Sequence, residues 1–272
     1  MNNYDVFLVP FDKAVISRPG ARFAPQEILR YLKKLYLPPG TGLNIIEPPD
    51  DFNQLDVGVA HMRIREWVKE NLNDRRFPIF IGGDHSITFP LYGAVKERSN
   101  LDPIYIVNID AHYDIRDWSE ERITSGTPFR RIMDFGLAEP FHIVEIGIRP
   151  MSNSPELEER ARGMRIFTLD EVKSRGIDAI LDQVKQELGD NPIYFTFDMD
   201  VMEGGCCPGS SAAHPYGLSM EEAIRIVDTM ARMNLVAMDI VEVSPPWDVQ
   251  DMTSKAAAYL IGRLIGARAE TV

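Results

Sequence analysis

Three stretches of the chain end apolar runs in acids and histidines: GGDHS at 82–86, NIDAHYD at 108–114 and FDMD at 197–200. The middle one is the most informative. In extended chain, residues i, i+2 and i+4 point the same way. Asp110, His112 and Asp114 are therefore expected to converge on one spot. Alternatively the stretch is a polar turn that caps a helix. Taken together the strand ends offer His85, Asp110, His112, Asp114, Asp198 and Asp200, four carboxylates and two imidazoles. Four aspartates brought together repel unless something positive holds them. No strand end supplies several lysines or arginines, so divalent metal is the economical answer. Two divalent cations balance four carboxylates. Mixed Asp/His ligation without thiolate favours Mn²⁺ over a cysteine-rich zinc site. Such a pair of ions activates water at neutral pH and polarises a substrate.

The elements that must position these residues can be read from hydropathy. VFLVPFD (6–12), PIFIGGDHS (78–86), PIYIVNIDAHYD (103–114), VEIGIRP (144–150), PIYFTFDMD (192–200) and LVAMDIVEVSPP (235–246) read as strands with polar ends. Residues 37–51 read as a loop around a short strand. Helical spacing marks 25–37, 61–74, 91–99, 219–233 and 255–270, with Pro25 suited to a first turn and Ser219 three residues before Glu222 as a capping box. Strands alternating with helices predict a three-layer α/β/α fold on a parallel sheet, and continuously apolar strands agree with burial on both faces. Ligands of such sheets sit at the carboxyl ends of the strands, where the polar clusters lie. With no linker, low-complexity tract or solenoid-length repeat, residues 1–272 read as one domain.

The totals set limits. At 272 residues and 44% hydrophobic, the chain is long enough for a substantial core. A net charge of −12 argues against a nucleic-acid surface, though a pocket can be locally positive. Cys206 and Cys207, adjacent and alone, form no disulfide framework and read as reduced small fillers. The N-terminus makes a poor signal peptide and no apolar run approaches membrane-span length, so a soluble cytoplasmic protein is expected.

GGDHS (82–86), DAHYD (110–114), DMD (198–200) and EVSP (242–245) resemble the signatures of the ureohydrolase superfamily, which includes arginase, agmatinase and formimidoylglutamase. RPGARFAP (18–25) and IGIRP (146–150) extend the likeness along nearly the whole chain. The resemblance implies an eight-stranded parallel sheet, two manganese ions and a homo-oligomer, trimeric or hexameric. It implies His85, Asp110, Asp114 and Asp198 as ligands or bridges of one ion, and Asp110, His112, Asp198 and Asp200 around the other. Glu242 matches the carboxylate that faces a cationic amidine or guanidine; the other reading is a strand-end cap.

The departures bear on the substrate, a small amidine or guanidino compound. Arginases and agmatinases carry a proton-shuttle histidine where this chain has Ser125, in TSGTPFRR (124–131), and formimidoylglutamases resemble this stretch better. Arg116 offers a fork for a carboxylate, or is a solvated loop residue paired with Asp117 or Glu120. Arg130 is a further substrate-binding candidate. Against the formimidoylglutamase branch stands EGGCCPGSS (203–211), which departs from the usual loop after the metal motif. His214 follows that loop and is a catalytic candidate beside Asp114 and Glu242, while His61 reads as a solvated helix residue. The expected reaction is hydrolysis of N-formimino-L-glutamate to L-glutamate and formamide. The alternatives are an agmatinase-like hydrolase releasing urea and a weakly catalytic metal-binding regulator.

Overall fold

Alternate residues of the central strands pack into different apolar layers, which is why those strands read as unbroken hydrophobic runs. Val107 and Ile109 join one layer while Ile106 joins the other. The computed structural model describes residues 3–270. The strands are β1 (Asn3–Leu8), β2 (Gly42–Ile46), β3 (Phe77–Ile81), β4 (Tyr105–Ile109), β5 (Ile143–Ile148), β6 (Arg165–Thr168), β7 (Ile193–Asp198) and β8 (Leu235–Val241). They form one eight-stranded sheet in the order β2-β1-β3-β8-β7-β4-β5-β6, with every pairing parallel. The expected three-layer architecture is thus the observed one.

Helices cover both faces. On one side lie α1 (Ala24–Leu32), α6 (Leu169–Arg175), α7 (Ile177–Leu188), α8 (Met220–Met230) and α9 (Met252–Ala269), contributing Ile28, Val172, Val184, Ile226 and Leu264 to the core. On the other lie α2 (Val57–Asn71), α3 (Thr88–Ser99), α4 (Pro128–Asp134) and α5 (Pro155–Arg160), contributing Ile64, Leu91, Phe129 and Leu157. Each fully buried Ile, Leu or Phe stabilises the fold by roughly 1.5–3 kcal/mol. The Ser219–Glu222 capping box starts α8, with each side chain accepting the other residue's backbone N–H. Among the described residues no helix is long and apolar enough to cross a membrane.

Boundaries differ from the sequence reading in places. Helix α1 stops at Leu32 rather than running to 37, and β1 occupies 3–8 rather than 6–12. The stretch 155–188, with α5, β6, α6 and α7, was not anticipated, although Thr168 and Glu171 form a capping box there. His61 is the clearest correction. Helix α2 begins four residues before it, which turns His61 inward, where it is 1% exposed between Phe11 and Phe89.

Candidate active site

The site crosses the carboxyl ends of four neighbouring strands, β3, β8, β7 and β4. His85 opens the short turn after β3. Asp198 is the last residue of β7, and its Oδ1 accepts the N–H of Asp200 at 2.7 Å. Asp110 does the same after β4, accepting the N–H of His112 at 2.7 Å. The convergence expected of 110–114 is real but arises differently. The strand stops at Ile109, and a turn ending with Asp114 at φ 50° replaces the extended chain.

These side chains meet closely. His85 Nδ1 stands 3.1 Å from Asp110 Oδ2, 3.1 Å from Asp114 Oδ2 and 3.2 Å from Asp198 Oδ2. His112 Nδ1 stands 3.0 Å from Asp200 Oδ2 and 3.6 Å from Asp110 Oδ1. Asp110 belongs to both groups, so two sets of potential ligands share one carboxylate. His85 Nδ1 and Asp200 Oδ1 are buried without a hydrogen-bond partner, and the ring of His85 is fixed by Nε2, 3.1 Å from Thr196 Oγ1.

The electrostatics describe a site crowded with negative charge. Burial, then Asp200 and Asp110, push Asp198 well above the usual carboxylate range. Burial and the charge of Asp110 raise Asp114 to about 6. The charge of Asp200 is the main cause that lifts His112 to about 12. Burial alone would lower His85, yet the carboxylates of Asp110, Asp114 and Asp198 hold it well above its ordinary value. No lysine or arginine forms an ion pair with Asp110, Asp114, Asp198 or Asp200 among the described residues. An oxygen-rich donor set with two imidazoles and unpartnered buried atoms fits hard-to-borderline divalent cations such as Mn²⁺.

A cleft of about 100 Å³ opens over this cluster. Larger cavities of about 760 and 480 Å³ contain none of the cluster residues, so chemistry rather than size identifies the site. Glu242 lies in the cleft wall, 3% exposed and at φ 62°. Its Oε1 accepts the His85 N–H at 2.9 Å and its Oε2 accepts the Ser211 hydroxyl at 2.8 Å. Burial, with Asp84 nearby, raises its carboxyl to about 8. Ser17 donates to the carbonyl of Ser211 at 3.1 Å and thereby joins two loops at the rim.

Arg116 and Ser125 also line the cleft. The Arg116 guanidinium forms no ion pair among the described residues, because Asp117 pairs with Arg160 at 2.8 Å instead. Ser125 N–H donates to the Ala14 carbonyl at 2.8 Å, and its hydroxyl accepts the Ile16 N–H at 3.3 Å. Two candidates fall outside. Arg130 turns away to pair with Asp134 at 3.0 Å, one helical turn along α4. His214 is exposed, its ring held by Tyr216 at 3.1 Å, and does not line the cleft. Trp118 stacks on Phe135 and packs away from the site, and Trp247 sits beneath Arg18 with its indole N–H on Pro19. Ser17, Ser211 and Thr196 were missed by sequence reasoning. Of these only Thr196, a hydroxyl inside an apolar strand, left a signal.

A model of the arginase family matches residues 2–266 of the chain. The chain belongs to the arginase family. The mitochondrial agmatinase of Gallus gallus is 33% identical over 268 residues, covering 94% of this chain and 78% of its own. The formimidoylglutamase of Bacillus subtilis is 32% identical over 267 residues, covering 93% of this chain and 83% of its own. The crystal structure of formimidoylglutamase from Bacillus subtilis superposes with a TM-score of 0.91 at 29% identity, over 98% of this chain and 87% of that one. As an arginase-family amidinohydrolase, the protein is an enzyme, and the His/Asp cluster is where a metal-dependent family would hold its ions.

Proposed function

We propose that the protein uses two Mn²⁺ ions to hydrolyse N-formimino-L-glutamate, adding water across the amidine C–N bond to give L-glutamate and formamide. One observation carries this reading: a single cleft joins the buried Glu242 carboxylate to an uncommitted Arg116 guanidinium, with Ser125 in place of a titratable group. His85, Asp110, Asp114 and Asp198 would hold one ion, and Asp110, His112 and Asp200 the other, a set to which the family resemblance adds Asp198. When bound, the ions supply Lewis acidity that lowers the pKa of water and polarises the amidine carbon. Glu242 accepts hydrogen bonds from the cationic amidine and fixes its plane. Arg116 takes a glutamate carboxylate as a planar fork. Asp114, which lines the cleft beside the ion site, accepts the proton of the attacking water and returns it to the leaving nitrogen. A cationic amine such as agmatine finds Arg116 repulsive in this cleft.

A second reading, a guanidino hydrolase releasing urea, is supported by the equal likeness to an agmatinase. The test is product release from the Mn²⁺-loaded enzyme given N-formimino-L-glutamate and agmatine in parallel. Glutamate without urea supports the first reading. Urea from agmatine establishes the second and removes Ser125 as an argument. Neither product from a protein with two bound ions overturns both.

A further inference from the structure

A row of polar side chains crosses the sheet one step beneath the site. The strand register aligns Glu145 on β5 with Asn108 on β4, Asn108 with Thr196 on β7, and Thr196 with Asp239 on β8. All four are 0% exposed. Their strand neighbours Val144, Val107, Phe195 and Met238 belong to the layer beneath α1 and α9, so the row points to the opposite face, under α2 to α4. Two carboxyl groups, an amide and a hydroxyl on such a face oppose burial, and apolar residues there would pack without that cost.

Each inner member touches a residue of the site. Asn108 Nδ2 donates to Glu145 Oε2 at 2.8 Å and to Asp110 Oδ2 at 3.2 Å. That same Asp110 oxygen faces His85 Nδ1. Thr196 Oγ1 holds His85 Nε2 at 3.1 Å, which leaves Nδ1 pointing at the carboxylates. The ends are anchored unequally. Asp239 Oδ2 accepts from Thr88 Oγ1 at 2.9 Å and Tyr194 OH at 2.7 Å. Glu145 has Asn108 as its hydrogen-bond donor, and Glu145 Oε1, Asn108 Oδ1 and, at the other end, Asp239 Oδ1 have no partner among the described residues. A pair satisfied on one side is a poor device for stability.

We infer that the Glu145–Asn108–Thr196–Asp239 row is a positioning floor that aims Asp110 and His85 at the ions. The inference rests on the metal reading above. Outer partners of ligands set ring orientation and carboxylate aim, and losing one weakens metal affinity by about 10–100-fold. Glu145 acts through Asn108: its oxygen holds one amide hydrogen, so the other meets Asp110 in a fixed direction.

The experiment titrates Mn²⁺ into metal-free protein and reads the free ion by electron paramagnetic resonance, alongside the melting temperature of the metal-free form. The variants are Glu145→Met, Glu145→Gln, Asn108→Leu and the near-isosteric Thr196→Val. Glu145→Met, Asn108→Leu and Thr196→Val are expected to bind Mn²⁺ about 10–100-fold more weakly. Metal-free Glu145→Met is expected to melt no lower than wild type. Glu145→Gln keeps an acceptor for the Asn108 amide and is expected to stay within threefold of wild type. Wild-type affinity in folded Thr196→Val or Glu145→Met overturns the inference, and so does a loss in Glu145→Gln as large as in Glu145→Met. Failure of the wild type to bind Mn²⁺ overturns the metal reading as well, which separates the two.

Discussion

Replacing Arg116 by alanine isolates the carboxylate-recognition step. The guanidinium lines the cleft and is not tied into an ion pair among the described residues, so its loss should leave the fold alone, within about 0.5 kcal/mol. A hydrogen bond to a charged group is worth about 1.5–3 kcal/mol net. Arg116 is exposed, and water and salt weaken its pairing, so the lower half of that range applies. The expected loss is about 13–45-fold in kcat/KM for N-formimino-L-glutamate. It should lie in KM, because the carboxylate is held equally before and during reaction. Arg116→Lys keeps the charge without the fork and should fall between. The control is N-methylformamidine, which has the reacting group and no carboxylate, and on which wild type and Arg116→Ala should be equal. The measurement is initial rate against substrate concentration at low and at 0.5 M salt, where screening should narrow the difference. Equal losses on both substrates, or no loss on either, would refute the assignment of Arg116.

Three further outcomes follow from the geometry. Glu242→Gln should lower kcat/KM by at least about 30-fold, the effect of about 2 kcal/mol at a buried charged pair. Its urea midpoint should hold or rise, since burial and Asp84 oppose the Glu242 charge; a lower midpoint with activity intact would count against its substrate role. His61 is held well below its ordinary pKa by burial and then by Arg131, so the folded state rejects a proton that the unfolded chain accepts. Its contribution is therefore complete above about pH 6.5 and is lost at about 1.4 kcal/mol per pH unit as pH falls from there toward the folded pKa. Denaturation at pH 7.5 and 5.5 should show a smaller pH effect in His61→Phe by about that amount, and identical slopes would refute it. Chelation should lower the melting temperature, and Mn²⁺ at a hundredfold its Kd should restore about 2.7 kcal/mol. A melting temperature indifferent to chelator and Mn²⁺ would remove the ions' role in offsetting the carboxylate repulsion.

The core of the site was legible because it breaks a rule that the rest of the chain keeps. Buried strands should end in turn residues, and these lead straight into Asp110, Asp198 and the turn with His85. Repulsion among grouped aspartates then forces a cation into the argument. What sequence could not supply was partners distant along the chain. His61 reads as solvated until Ser86 and Arg131, 25 and 70 residues away, close around it. Arg130 was the reverse case, since Asp134 stands at i+4 on its own helix and is the ordinary partner to check first. His214 looked available because it follows the metal motif, but its backbone pairs with Glu203 and its side chain is exposed outside the cleft lining. The short strand β6 and the helices after it carry no chemistry that draws the eye.

Asp114 and Glu242, the two carboxylates given the proton and the substrate, both sit at positive φ, where side chains other than glycine's are held at a cost of about 1–3 kcal/mol. Glycine at either position would relax the backbone and delete the working group in one change. Glycine would also leave fewer charges crowded around the cleft. In the metal-free protein, thermostability and turnover therefore pull these two positions in opposite directions, whereas bound ions would favour keeping Asp114. A library screened for heat resistance in the presence of a chelator should drift toward inactive proteins there, and a designer who wants a sturdier enzyme should hold both positions fixed and look for gains elsewhere.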